Sequence, residues 1–209
     1  MRKFLTVGLV FFGASTMAFA EEQPTTNSVV TTSLESSIHQ DSALAIAALE
    51  KGDFQSASLY FQTASSNANR LSLQSVAQKI QLKTPSFASN TPQFVLTNSS
   101  TIALAGLLQE SNALESRFKD EDGNVVTVRL FSDDQALEDF MTISSDETIL
   151  KKANIETAEM MGEAALKAKG EDNELSVLMM SEKDHALVEV SGDSDSAVMA
   201  FIKDLEDGE

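Results

Sequence analysis

Residues 175–205 read LSVLMMSEKDHALVEVSGDSDSAVMAFIKDL, and their reading decides the fold. Leu175 to Met180 and Ala186 to Val190 are β-rich apolar runs, separated by the polar stretch Ser181 to Asp184. Two such runs around a short polar connection make a β-hairpin. Gly192 ends the second run, and Asp193 or Ser194 is placed to cap a helix. Val198, Phe201, Ile202 and Leu205 then fall at i, i+3, i+4 and i+7. That spacing gives one apolar stripe, which must pack on a sheet.

The same alternation recurs upstream. Leu114 to Phe118 and Val126 to Leu130 flank Asp120-Glu121-Asp122-Gly123-Asn124, a hairpin with an Asp-Gly turn. Ser132 with Gln135, and Ser144 with Glu147, have capping-box spacing and open two helices. Residues 153–168, ANIETAEMMGEAALKA, are rich in helix formers, but Gly162 interrupts them. With strands on either side, two strands meeting at a turn are the preferred reading. The order of elements gives an α+β fold, with an antiparallel sheet and its helices packed on one face.

Before residue 101 the pattern changes. Ser42 to Glu50 is a strong helix former with a small apolar face. Lys51-Gly52-Asp53 breaks it, and Phe54, Ala57, Leu59, Tyr60, Phe61 and Ala64 resume at helical spacing. Leu71, Leu73, Val76, Ile80 and Leu82 continue an apolar pattern that reads as a third helix, stopped by Pro85. The N-terminal part is therefore a helical hairpin or three-helix segment. Residues 51–64 resemble the turn and second helix of a tetratricopeptide repeat. The resemblance covers one repeat. It implies a close approach of two helices at Ala57, with Phe54, Tyr60 and Phe61 filling the groove and offering an interaction surface. The C-terminal half resembles uncharacterised exported bacterial α+β proteins. Gly162 with Ala165, the Leu175–Val190 hairpin, Gly192 and the helix with Phe201 carry that likeness, and no activity comes with it.

The start of the chain reads as an export signal. Arg2 and Lys3 precede an uncharged run from Phe4 to Met17, and Ala18-Phe19-Ala20 has a signal-peptidase site, making Glu21 the mature N-terminus. The organisation expected is a signal at 1–20, a flexible leader at 21–34, the helical segment at 35–84, a linker at 85–100 and the α+β domain at 101–209. Within the linker, Phe94 to Leu96 reads as a short strand. Ile102 to Leu108 is apolar and is helix or strand. No segment suggests a membrane span in the mature chain.

Composition narrows the function. Lys and Arg number 15 against 32 Asp and Glu, a net charge of −17. Such a charge repels phosphate backbones and anionic headgroups, so nucleic acid is not an expected partner. The chain has no cysteine, which removes thiol chemistry and cysteine-held metals. Its two histidines, His39 and His185, cannot build a histidine-rich site.

Four local features have the composition of chemical sites. Asp120, Glu121, Asp122 and Asn124 have calcium-like composition, but Phe118 would fall on the first ligand position of the loop, and a tight turn explains them. Met160-Met161 and Met179-Met180 could offer soft ligands, yet neighbours on a strand face opposite ways, which makes them core filling. The serines from Gly192 to Ser196 lack a histidine partner and read as helix caps. A glycosidase pair of acids usually comes with aromatic platforms, and this chain has no Trp and one Tyr. The expectation is a periplasmic, non-enzymatic binding protein with an envelope protein partner and no cofactor. The alternatives are a small-ligand or metal carrier, or an envelope hydrolase.

Overall fold

The computed structural model describes residues 26–97, 111–132, 134–170 and 173–208. The export signal with Ala18, Ala20 and Glu21, the first part of the leader, and Ile102 to Leu108 lie outside the described residues.

Eight antiparallel strands form one sheet: β1 (Ala88–Ser89), β2 (Gln93–Thr97), β3 (Ser111–Lys119), β4 (Val125–Phe131), β5 (Glu156–Met160), β6 (Glu163–Lys169), β7 (Leu175–Ser181) and β8 (Ala186–Gly192). Their order is β1-β3-β4-β8-β7-β6-β5, and β2 pairs on the same edge of β3 as β1. The two hairpins legible in the sequence thus meet side by side, with Val128 opposite Val190 and Val190 opposite Val177. The stretch expected as a linker supplies two edge strands, and β2 includes the short strand expected at Phe94 to Leu96. Phe94 pairs with Leu114, and Ala88 with Lys119.

The helix-prone stretch at 153–168 is indeed two strands. Met161 (φ 57°) and Gly162 (φ 73°) form a two-residue turn with both φ positive, the type I′ geometry that matches strand twist. Tertiary burial outweighs propensity here. In β6, Leu166 and Ala168 bury on one face of the sheet and Ala165 on the other.

Helices cover both faces of the sheet, not one. Leu114, Val126, Val128, Leu130, Val177 and Val190 face α2 (Phe54–Lys83) and α5 (Asp195–Asp207). Ala113, Phe131, Leu166, Leu178 and Leu187 face α3 (Asp134–Ser145) and α4 (Glu147–Lys152). The cause is the near-continuous apolar character of β7 and β8, which leaves no strand face for water. On the first face Phe201 of α5 meets Phe87 edge-to-face at 5.0 Å and Phe118 at a tilt at 4.8 Å.

The caps differ in detail from the capping-box reading. Asp146, not Ser144, caps α4 by accepting from the amides of Thr148 and Ile149. Ser144 donates to the Met141 carbonyl, and Gln135 donates forward to Asp139. Ser194 caps α5, accepting from the Ala197 amide.

The N-terminal part is a two-helix hairpin. α1 (Thr26–Glu50) begins inside the stretch expected as leader. Gly52 (φ 74°) and the Asp53 cap turn the chain into α2. The expected third helix is the second half of α2, which runs unbroken for 30 residues, about 45 Å. Nothing in Ser65 to Arg70 breaks it, since that stretch has neither Gly nor Pro. Leu73, Val76, Ala77 and Ile80 in this half close the core of the sheet.

Candidate binding surfaces

The hairpin's seam is built from small residues. Ala45 and Ala48 of α1 and Ala57 and Ala64 of α2 are buried. Leu73 follows Ala64 by nine residues, about two and a half turns, so α2 buries opposite sides in its two halves. Its first half packs on α1 and its second half on the sheet. The first half and α1 therefore form an arm. Ser37 ties the seam by accepting from Asn67 at 3.1 Å. Arg70 stacks over the Phe94 ring at 4.3 Å, and Lys79 pairs with Asp184 at 2.7 Å, which fasten α2 to the sheet. Those bonds from Lys79 come first among the causes that hold the Asp184 carboxyl below its usual range.

Large apolar side chains on the arm point outward. Phe54 is 73% exposed, Leu59 61% and Ile46 54%, while Phe61 and Leu49 are also exposed. Six of the eleven exposed large hydrophobics among the described residues fall between Leu44 and Phe61, so the arm concentrates them. The expectation that Phe54, Tyr60 and Phe61 fill the groove is corrected: alanines fill it, Tyr60 is half-buried, and both phenylalanines face solvent. Helices that approach through Ala57 leave no room between them for aromatic rings.

A second feature lies where the C-terminal end of α2 and α5 cross β5–β8. A cavity of about 220 Å³ opens there to solvent. Val76, Ile80, Met160, Met179, Val188 and Leu205 give it an apolar floor. Met161 adds to one wall, its amide donating to Glu206 at 2.9 Å. Lys79, Lys83 and Lys183 stand at the rim with Glu163 and Asp184. The sequence pairs Met160 with Met161 and Met179 with Met180. The structure instead groups Met160, Met161 and Met179 on one cluster, while Met180 packs on the opposite face and also borders the cavity. Only the register of two hairpins reveals that grouping.

A third feature was missed in the sequence. Glu115, Arg129 and Glu189 stand in one row across β3, β4 and β8. Arg129 donates to Glu115 at 2.9 Å and to Glu189 at 3.0 Å, and Ser176 donates to Glu189 at 2.8 Å. Glu189 is fully buried, and its burial raises its pKa against the pull of Arg129. Burial alone would lower Arg129, but the two carboxylates outweigh it and hold the guanidinium above its usual value. Anchored on the buried Glu189, with Arg129 and Glu115 only partly exposed, this row ties strands together. A charged residue at an inward position of an alternating strand was its available signal.

The remaining candidates have structural work. Asp120 accepts from the amide and side chain of Asn124, which fixes the β3–β4 turn and lowers the Asp120 pKa. Among the described residues no three His, Asp or Glu side chains stand close enough to hold a metal ion. His185 (φ 47°) closes the β7–β8 turn and is exposed, as is His39 on α1. Among the described residues no helix is long and apolar enough to cross a membrane. The chain matches no family model, no curated protein and no solved structure.

Proposed function

We propose that the chain is an exported, periplasmic, non-enzymatic binding protein that engages an envelope protein partner through the α1–α2 arm. One observation carries the reading. The arm keeps alanines inside and places Phe54, Leu59, Phe61, Ile46 and Leu49 outside. Phe54 and Phe61, seven residues apart, share one face of α2, and an exposed apolar patch of this kind marks an interaction site. Support for export comes from Arg2, Lys3, the uncharged run Phe4 to Met17 and the Ala18-Phe19-Ala20 site. The tetratricopeptide-like stretch at 51–64 suits a docking role, here with the outer face of one hairpin as the contact.

The test places a photo-crosslinking residue at Phe61 and irradiates intact cells. The expected result is one envelope protein joined to the arm, and its loss when Phe54→Ser is added. Circular dichroism should show the fold unchanged, since Phe54 has little packing to lose. Recovery of the protein alone, at normal abundance, overturns the proposal.

A further inference from the structure

We infer that Met160, Met161 and Met179 hold a soft monovalent cation of the Cu(I) class through their thioether sulfurs, in the cavity between α2, α5 and β5–β8. The first observation is grouping. Of the six methionines beyond residue 20, Met160, Met161, Met179 and Met180 line this cavity, and Met141 and Met199 lie elsewhere. Neighbours on one strand face opposite ways, so a sequence pair cannot chelate from one side. The register removes that obstacle, because the three residues come from two hairpins. Ala158 of β5 stands opposite Ala165 of β6, and Ala165 stands opposite Met179 of β7. Only methyl groups separate β5 from β7 in that row. Met160, two residues beyond Ala158, joins the same cluster as Met179, and Met161 packs on it from the β5–β6 turn. Met180 borders the cavity from the other side of β7 and is not counted among the ligands.

The second observation is access. Methionine that only fills a core leaves no opening beside it, since close packing is the rule there. Here about 220 Å³ stays open to solvent beside the three side chains. Unbranched, polarizable thioethers can turn their sulfurs toward an entering ion without moving the strands. The third observation is donor chemistry. The chain has no cysteine, and among the described residues no three His, Asp or Glu side chains stand close enough to hold a metal ion. Thioether sulfur is a soft donor that suits Cu(I), whereas zinc takes thiolate, imidazole or carboxylate. Neutral donors leave the ion's charge uncompensated, so in an apolar wall a single charge costs far less than a double one. The mouth adds no net repulsion. Lys79 and Lys83 are both engaged, Lys79 with Asp184 at 2.7 Å, while Glu163 and Glu206 stand against Lys183. Over the whole chain a charge of −17 draws cations in. The site lies about 33 Å along α2 from Phe54, so its test is independent of the arm's partner.

The experiment uses the whole chain with methyl-labelled methionine, titrated with Ag(I) and, under argon, with Cu(I), and followed by NMR. The expected result is saturable, one-to-one shifts of the Met160, Met161 and Met179 methyls, while the exposed Met141 and Met199 stay unmoved. Zn(II) should move none of them. Competition with a coloured Cu(I) chelator then reads the affinity. Met161→Leu keeps an apolar side chain on the same wall and removes one sulfur. It should weaken Cu(I) by about tenfold with circular dichroism unchanged, and Met179→Leu should do the same. Absence of saturable shifts overturns the proposal, as do equal shifts at Met141 and Met199. Equal shifts with Zn(II), or an unchanged Cu(I) affinity in both leucine variants, overturn ligation by the thioethers.

Discussion

The sheet and the arm use the same residue types in opposite ways. Phe118, Phe131, Phe140 and Phe201 are fully buried in the two sheet clusters, whereas Phe54 and Phe61 stand in solvent on the arm. The arm's own interior is alanine. Large side chains carry stability where helices cross a sheet about 10 Å away and leave volume to fill. Where two helices approach along alanines there is no such volume. The same phenylalanine then becomes surface. Exposure on the arm is therefore a consequence of the seam, and it leaves the large side chains available for a partner.

The comparison breaks most visibly at Phe201. Phe201→Ala should cost about 3–5 kcal/mol, because it empties the space against Phe87 and Phe118. Phe54→Ala should change stability by less than about 0.5 kcal/mol. Urea denaturation of both variants measures the contrast. A large cost at Phe54 would mean that the arm's phenylalanines are structural after all.

The seam itself is tested by Ala57→Leu. Ala57 is 1% exposed between α1 and α2, so added carbons must push the helices apart. The expected cost is about 1–3 kcal/mol. It should fall on the arm, with faster hydrogen exchange in α1 and in the first half of α2 while β4, β7 and β8 stay protected. Loss of protection throughout the sheet would show the two regions unfolding as one unit.

How far each region could be read from sequence follows from the same physics. The β7–β8 hairpin and α5 were legible because alternation and the Val198–Leu205 stripe each point to one face. The two strands at 156–169 were legible only through Gly162, against the helix propensity around it. The unbroken α2 was not legible, because Ala64 and Leu73 lie on opposite sides of the helix and mimic two separate stripes. The second helical layer was hidden too. Continuous apolar runs in β7 and β8 signal burial on both faces, but they do not say which helix covers each. Of the candidate surfaces, Phe54 and Phe61 were legible as residues but were assigned to the groove. The cavity depends on the pairing of Ala165 with Met179, a register that no local pattern reveals.

The buried row across β3, β4 and β8 gives the sheet a pH dependence opposite in sign to that of the arm, where bonds from Ser56 hold the Asp53 carboxyl below its usual value. Glu189 holds its proton more tightly folded than unfolded, because burial raises its pKa above the usual 4.5. Its contribution to stability is full below that value and is lost as pH climbs through the raised folded pKa. Glu189→Gln keeps an acceptor for Ser176 and Arg129 and removes the titration. The variant should gain on the native chain as pH rises above about 4.5, at no more than about 1.4 kcal/mol per pH unit, until the raised folded pKa is passed. Parallel stability curves for the two proteins would show that Arg129 fully offsets the burial.

The smallest effect is expected at Met161, where side-chain packing and backbone conformation oppose each other inside the sheet. At φ 57° before Gly162, Asn is the better residue, because its short polar side chain tolerates the left-handed region. Met161→Asn should relieve backbone strain and return about 0.5 kcal/mol, net of the partly buried thioether it removes. If stability falls instead, the packing of the Met161 thioether outweighs what the left-handed turn costs the native chain.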